Sequence, residues 1–141
     1  MDNNARTVLT VEAMINAPVA KVWEYWSTPA HIMKWNSASP DWHTPKAEND
    51  LREGGSFVSR MEARDGSMGF DFGGIYDTVK KHEVIAYTMG DGRKVRVDFT
   101  ADGNKTKVVE VFEAEETHSL EMQQGGWQAI LDEFKRYTEA N

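Results

Sequence analysis

The residues able to carry chemistry are few, and their spacing excludes more than it suggests. The four histidines, His31, His43, His82 and His118, never stand three or four apart, and no His-Glu-x-x-His pattern occurs. Metal ligands normally converge from such spacings, so no metal site and no cofactor are expected. The chain has no cysteine, which removes disulfides, thiolate zinc sites and thiol nucleophiles together. Gly54-Gly55-Ser56 lacks the closing glycine of a nucleophile elbow and precedes a strand pattern rather than a helix. Gly73-Gly74 sits inside a strand pattern, where a bulge or bend is expected rather than a phosphate loop.

What remains for acid–base work is a small set of polar groups that could project into a cavity: His43, Tyr76 and Tyr87, with Arg60 and Asp71 behind them. By strand alternation Arg60 and Asp71 face outward, unless a bulge turns Asp71 in. Tyr76 and Tyr87 read equally well as strand residues whose hydroxyls reach water, and His43 as a surface residue beside Trp42. No catalytic residue is assigned on this basis. Catalysis is left open, with a non-enzymatic role the nearer reading. The acidic run Glu110, Glu113, Glu115, Glu116 reads as a solvated edge.

Positioning such groups needs a framework. The 141 residues are 40% hydrophobic and 11% aromatic, with five Trp. That suits one compact domain over residues 1–141 and demands either a large core or a lined cavity. Net charge is −7, and no Lys/Arg cluster interrupts the acidic trend. Nucleic acid and anionic membrane surfaces are poor partners for such a surface. The opening MDNNARTV is polar and lacks the layout of a signal peptide. No apolar run approaches the ~20 residues that span a bilayer. A cytoplasmic location is expected, as a monomer or weak dimer.

Residues Thr7 to Ile15 read as a strand. Pro18 suits the first position of a helix that places Val19, Val22, Trp23 and Trp26 on one stripe. Thr28-Pro29 starts a second short helix carrying Ile32 and Trp35 inward. From Asn36 to Gly55 no periodicity is visible, and a long loop covering a site is expected. After Gly54-Gly55 the period becomes two: Phe57, Ser59, Met61 and Ala63 share a face, as do Met68, Phe70, Phe72, Gly74 and Tyr76. Asp65-Gly66, Asp91-Gly92 and Asp102-Gly103 mark hairpins. Val95, Val97 and Phe99 alternate with polar residues, and Thr106 to Ala114 closes an antiparallel meander.

The last stretch, Ser119 to Thr138, reads as a helix with Thr117 or Ser119 as cap. Its stripe runs through Trp127, Ile130, Leu131 and Phe134, with Leu120 extending it. Gly125-Gly126 argues for a later helix start or a bulky neighbour. A helix of ~20 residues is ~30 Å long, which matches the width of the sheet. The predicted fold class is α+β: about six curved antiparallel strands wrapped around a long C-terminal helix, with two short helices after the first strand. A curved sheet gripping a straight helix leaves space, lined by Phe57, Met61, Phe70, Phe72, Tyr87, Trp127 and Leu131, with Trp35 and Trp42 near its mouth.

Three blocks carry a family resemblance: INAPVAKVWEYWSTPAHIMKW, then DLREGGSFVSRMEARDGSMGFDFGGIYDTVKKHEVIAYTMGDGRKVRV, then GGWQAILDEFKRY. Their order and spacing resemble the START-like (SRPBCC) superfamily, and within it the group of homologues of the activator of heat-shock-protein-90 ATPase, C-terminal-like. The resemblance implies a helix-grip fold with a hydrophobic cavity. It implies little about activity, since superfamily members include lipid carriers, hormone receptors, aromatic cyclases and ring-hydroxylase subunits. The chaperone-activating role belongs to longer eukaryotic proteins with an additional N-terminal domain.

The leading expectation is a binding module for a small hydrophobic ligand, a lipid, acyl or aromatic compound, held between the last helix and the sheet. One alternative is a cyclase, dehydrase or hydrolase using His43 or a strand tyrosine. Another is a co-chaperone or stress-response adaptor that meets a chaperone through its surface.

Overall fold

The computed structural model describes residues 6–141, so the first five residues of the polar opening lie outside it. The elements run β1 (Val8–Ile15), α1 (Val19–Ser27), α2 (Pro29–Trp35), β2 (Trp42–Asn49), β3 (Ser56–Ala63), β4 (Gly69–Lys80), β5 (Val84–Met89), β6 (Lys94–Asp102), β7 (Lys105–Glu113) and α3 (Leu120–Ala140). The strands form one curled antiparallel sheet in the order β1-β7-β6-β5-β4-β3-β2. The class is the α+β arrangement expected, with seven strands rather than about six.

The three Asp-Gly steps fall at the reversals β3–β4, β5–β6 and β6–β7, and Gly66, Gly92 and Gly103 all take positive φ there. Inward alternation follows the sequence pattern. Val95, Val97 and Phe99 of β6 are buried beside Val108 and Phe112 of β7 and Val11 and Ile15 of β1. In α1 the stripe buries Val22 and Trp23. Pro18 is the N-cap, in extended backbone, and not the first helical residue. Thr28 caps α2 with Pro29 just inside it, and Ile32 and Trp35 are buried.

The expected cover loop over Asn36–Gly55 does not exist as such. Its middle is β2, an edge strand paired with β3. The register slips between His43 and Lys46. Pro45, which has no N–H to donate, sits in that slip, where a strand tolerates it. The slip and the polar composition erase the alternation that would have marked a strand. Buried Thr44 anchors the slip by donating its hydroxyl to the Asn36 carbonyl at 2.6 Å.

In β4 the register shift lies at Asp77, between Tyr76 and Thr78, and not at Gly73-Gly74. The glycines serve close approach instead. A Cβ on Gly73 would stand 2.4 Å from the Phe57 carbonyl oxygen, and one on Gly74 2.5 Å from that of Thr88.

Helix α3 starts early, and Ser119 is its cap, its hydroxyl accepting from the Met122 N–H at 3.1 Å. Gly125 and Gly126 lie well inside the helix, and a Cβ on either would meet nothing within 4 Å. Neither a later start nor a bulky neighbour explains them. Leu120 does not extend the stripe: it is 46% exposed, and the buried side chain of the first turns is Gln123.

Two glycine substitutions should move stability in opposite directions. Gly126→Ala should raise it by about 1 kcal/mol, since helix propensity improves and no contact is lost. Gly74→Ala forces a methyl against backbone and should lower it by about 1–3 kcal/mol. Urea midpoints of the two variants check both signs.

Candidate functional site

Trp127 organises the interior. Its ring stacks on Phe112 of β7, centroids 4.0 Å apart and planes within 8°, and meets Phe72 of β4 edge-on at 6.1 Å. On the sheet, Phe57 contacts Phe72 at 5.8 Å, Tyr76 at 5.1 Å and Tyr87 at 4.8 Å. At the helical end, Trp26 and Trp35 each meet Phe134 at 4.9 Å and each other at 5.1 Å. Between these groups lies a cavity of about 300 Å³, the lower bound of ordinary ligand sites. A second hollow of about 310 Å³ adjoins it and shares Met61, Phe70 and Trp127.

The structure brings most of the expected lining together. Trp35, Phe57, Met61, Phe70, Phe72, Tyr87 and Trp127 border the main cavity, as does Tyr76. Phe70 stands at the rim, 49% exposed, tilted against Trp42 at 5.9 Å. Trp42 lines only the adjoining hollow. Leu131 borders neither: it is fully buried in the packed core, one helical turn beyond Trp127. His43 lies on β2 outside both spaces, with Nε2 4.0 Å from Glu62. Arg60 pairs with Glu62 at 2.9 Å and Asp71 at 3.5 Å on the outer face, as alternation requires.

Polar groups interrupt the apolar lining. The Tyr76 hydroxyl donates to Asn49 Oδ1 at 2.5 Å, and Asn49 Nδ2 donates to the Ser27 carbonyl at 2.6 Å. Burial raises the Tyr76 phenol and keeps it neutral. Tyr87 is paired with Tyr76 across β4 and β5, their ring centroids 6.3 Å apart, and Arg93, Glu110, Glu115, His118 and Gln123 complete the polar lining. Gln123 is satisfied by main chain: Oε1 accepts from the Glu115 N–H, and Nε2 donates to the carbonyls of Glu115 and His118. Arg93 Nε is 2.7 Å from Asp91. The Glu115 carboxylate accepts from the His118 backbone N–H, which holds it below its ordinary range.

Glu110 corrects the reading of the acidic run as a solvated edge. It is 5% exposed and lines the cavity. Burial, with no partner to offset it, pushes its carboxyl up to about 8. The signal was present in the alternation Thr106, Val108, Glu110, Phe112, whose members are all buried. Reading the acids as a run concealed it. Among the described residues no group of three His, Asp or Glu could hold a metal, and no helix is long and apolar enough to cross a membrane.

The Glu110 shift has a sign. The folded protein holds the proton up to pH 8, whereas the unfolded chain releases it near the ordinary 4.5. Its stability contribution is therefore complete below pH 4.5 and lost as pH rises toward 8. The full span is on the order of 5 kcal/mol. Glu110→Gln should match the parent near pH 4.5 and exceed it increasingly up to pH 8, by a few kcal/mol. Denaturant midpoints across that range check it.

The sequence profile described as "Activator of Hsp90 ATPase homolog 1-like protein" matches residues 16–139. A solution structure of an AHSA1-like protein from Aeromonas hydrophila is 45% identical, with a TM-score of 0.89 over 95% of this chain and 93% of that one. A solution structure of a protein from Cytophaga hutchinsonii is 60% identical, with a TM-score of 0.81 over 94% and 92%. A crystal structure from Nitrosomonas europaea has a TM-score of 0.82 over 97% of each chain at only 18% identity, which shows the shared fold alone. No curated protein matches the chain. With a family match over nearly its whole length and this curled sheet closed by a C-terminal helix, the chain belongs to the AHSA1-like family, on a START-like fold.

Proposed function

We propose that the protein binds one small, mainly apolar molecule, aromatic or acyl in character, in the space between α3 and β3–β5. The observation that carries this reading is the wall itself: Trp127, Phe57, Phe72 and Trp35 surround a volume of about 300 Å³ that the fold leaves unfilled. Phe57, Phe72, Tyr87 and Trp127 meet edge to face around it. A ligand burying about 200 Å² of apolar surface there would gain about 5 kcal/mol before association costs. The few convergent polar groups would set orientation rather than supply most of the affinity.

Trp127→Ala removes the wall on the helix side and should weaken binding at least about tenfold. Val8→Ala, on an exposed residue of β1 outside both spaces, should leave affinity unchanged. Titration of the chain with ethylnaphthalene, followed by the NMR shifts of Trp127, Phe57 and Phe72, tests the idea. Shifts confined to surface residues such as Val8, with those three signals unmoved, reject it.

A further inference from the structure

Glu110 occupies a place where another Val would fit the pattern. It sits between Val108 and Phe112 on the inward face of β7, paired with Val11 of β1 and Val97 of β6. It is 5% exposed, lines the cavity, and has no hydrogen-bond or ion-pair partner among the described residues. Buried carboxyl groups normally find partners inside the protein. One that opens on a cavity instead points to a partner that comes from outside.

Tyr87 is the second such group. Val97 pairs with Glu110 on one side and with Ile85 on the other, so Tyr87 lies one inward position along β5 from the Glu110 row. Its ring is buried, it lines the same cavity, and its hydroxyl has no partner among the described residues. The two groups line one cavity with a single strand, β6, between theirs, and Tyr76, the residue paired with Tyr87 on β4, already donates to Asn49. Of the other polar side chains in the lining, Tyr76 is engaged by Asn49, the Arg93 Nε by Asp91, Glu115 by His118, and Gln123 by main chain.

We propose that Glu110 and Tyr87 form a hydrogen-bonding subsite that receives the carbonyl oxygen of an otherwise apolar ligand. This deepens the cavity-binding reading and rests on it. Through neutral pH both groups are uncharged O–H donors, since burial raises both. A carbonyl oxygen has two lone pairs and no charge, which suits two neutral donors set in an apolar wall. A carboxylate ligand would set its charge against two neutral donors in an apolar wall, with the Arg93 Nε already held by Asp91. An ammonium ligand would need Glu110 ionised, against its burial.

The ionisable groups sharing this space are Tyr76 from β4, Tyr87 from β5, Arg93 from the β5–β6 turn, and Glu115 and His118 ahead of α3. β1 and β6 meet Glu110 with Val11 and Val97, and α3 contributes Gln123 and Trp127. A fall in ketone affinity through pH 8 that vanishes on altering Glu110 alone therefore separates it from the rest.

Naphthyl methyl ketone and ethylnaphthalene have nearly the same shape and differ at the carbonyl. Calorimetry on the parent, Glu110→Leu, Glu110→Gln and Tyr87→Phe gives the ratio of ketone to hydrocarbon affinity in each. Leu and Phe should lower that ratio about three- to tenfold, the worth of one neutral hydrogen bond. Gln keeps an N–H donor and should retain most of it. In the parent, ketone affinity should fall as pH rises through 8, and in Glu110→Gln it should not. Unfolding is not the expected confounder, because Leu removes an unpartnered buried carboxyl. An unchanged ratio in both Glu110 variants overturns the subsite while leaving the cavity reading intact. So does tighter binding of naphthylethylamine than of the ketone. Failure of the parent to bind either the ketone or the hydrocarbon sinks both.

Discussion

Everything else in the molecule depends on how α3 is tied to the margin of the sheet. β1 is an edge strand, and its outer row of backbone groups would otherwise be open to pairing with another chain. Side chains of α3 occupy that row at every second residue. Gln124, Gln128 and Lys135 donate to the carbonyls of Thr10, Glu12 and Met14, and the Asn16 N–H donates to Glu139. The period of two belongs to the strand and the spacing of four and seven to the helix, so the two elements are in register over their common length. The latch holds the helix over β1 and β7 rather than over the middle of the sheet. Trp127 then reaches across to Phe112, and the concave face of β3 to β5 is left for rings to line rather than for a helix to fill.

The rest of the architecture keeps that space from collapsing. α1 and α2 close one end with Trp26 and Trp35, which brace each other and Phe134. The Trp35 indole N–H donates to the Tyr25 carbonyl at 2.9 Å, fixing the ring's orientation. At the other end Gln123 pins the segment leading into α3 by three main-chain hydrogen bonds. These are part-buried, directional contacts. The ion pairs of the outer face, such as Arg96 with Asp98 and Arg60 with Asp71, are solvent-exposed and contribute little to holding the shape.

Much of this was legible in the sequence, for physical reasons that also say where legibility ends. The Asp-Gly turns and the alternation of Phe57, Met61, Phe70, Phe72 and Tyr76 are local signals, and each survives because turn chemistry and sheet period act on neighbouring residues. β2 was invisible because an edge strand with Pro45 in a register slip has neither alternation nor a full ladder. Leu131 shares a helical stripe with Trp127, yet a stripe specifies only the inward direction. Which turn of the helix faces packed core and which faces empty space is decided by α1 and α2, far away in the chain. Glu110 was readable from its period but was grouped by composition with acids that do face outward.

That last misreading bears on how such a domain can be specific at all. Its walls are rings and aliphatic groups, which distinguish ligands poorly from one another. Discrimination needs a polar group whose contribution does not depend on shape, and an inward position on a strand paired on both sides is a rigid place to put one. β7 lies between β1 and β6 with its backbone paired on both sides, at Val11 and Val97 for Glu110, so that side chain is aimed by a strand rather than by a loop. The same burial that makes the position rigid makes an unpartnered carboxyl there destabilising at neutral pH. A valine would spare the fold that burden, as it does at Val97 and Val108 on the same face. A ligand carbonyl in the proposed subsite would supply the hydrogen-bond partner that the fold itself does not give this carboxyl.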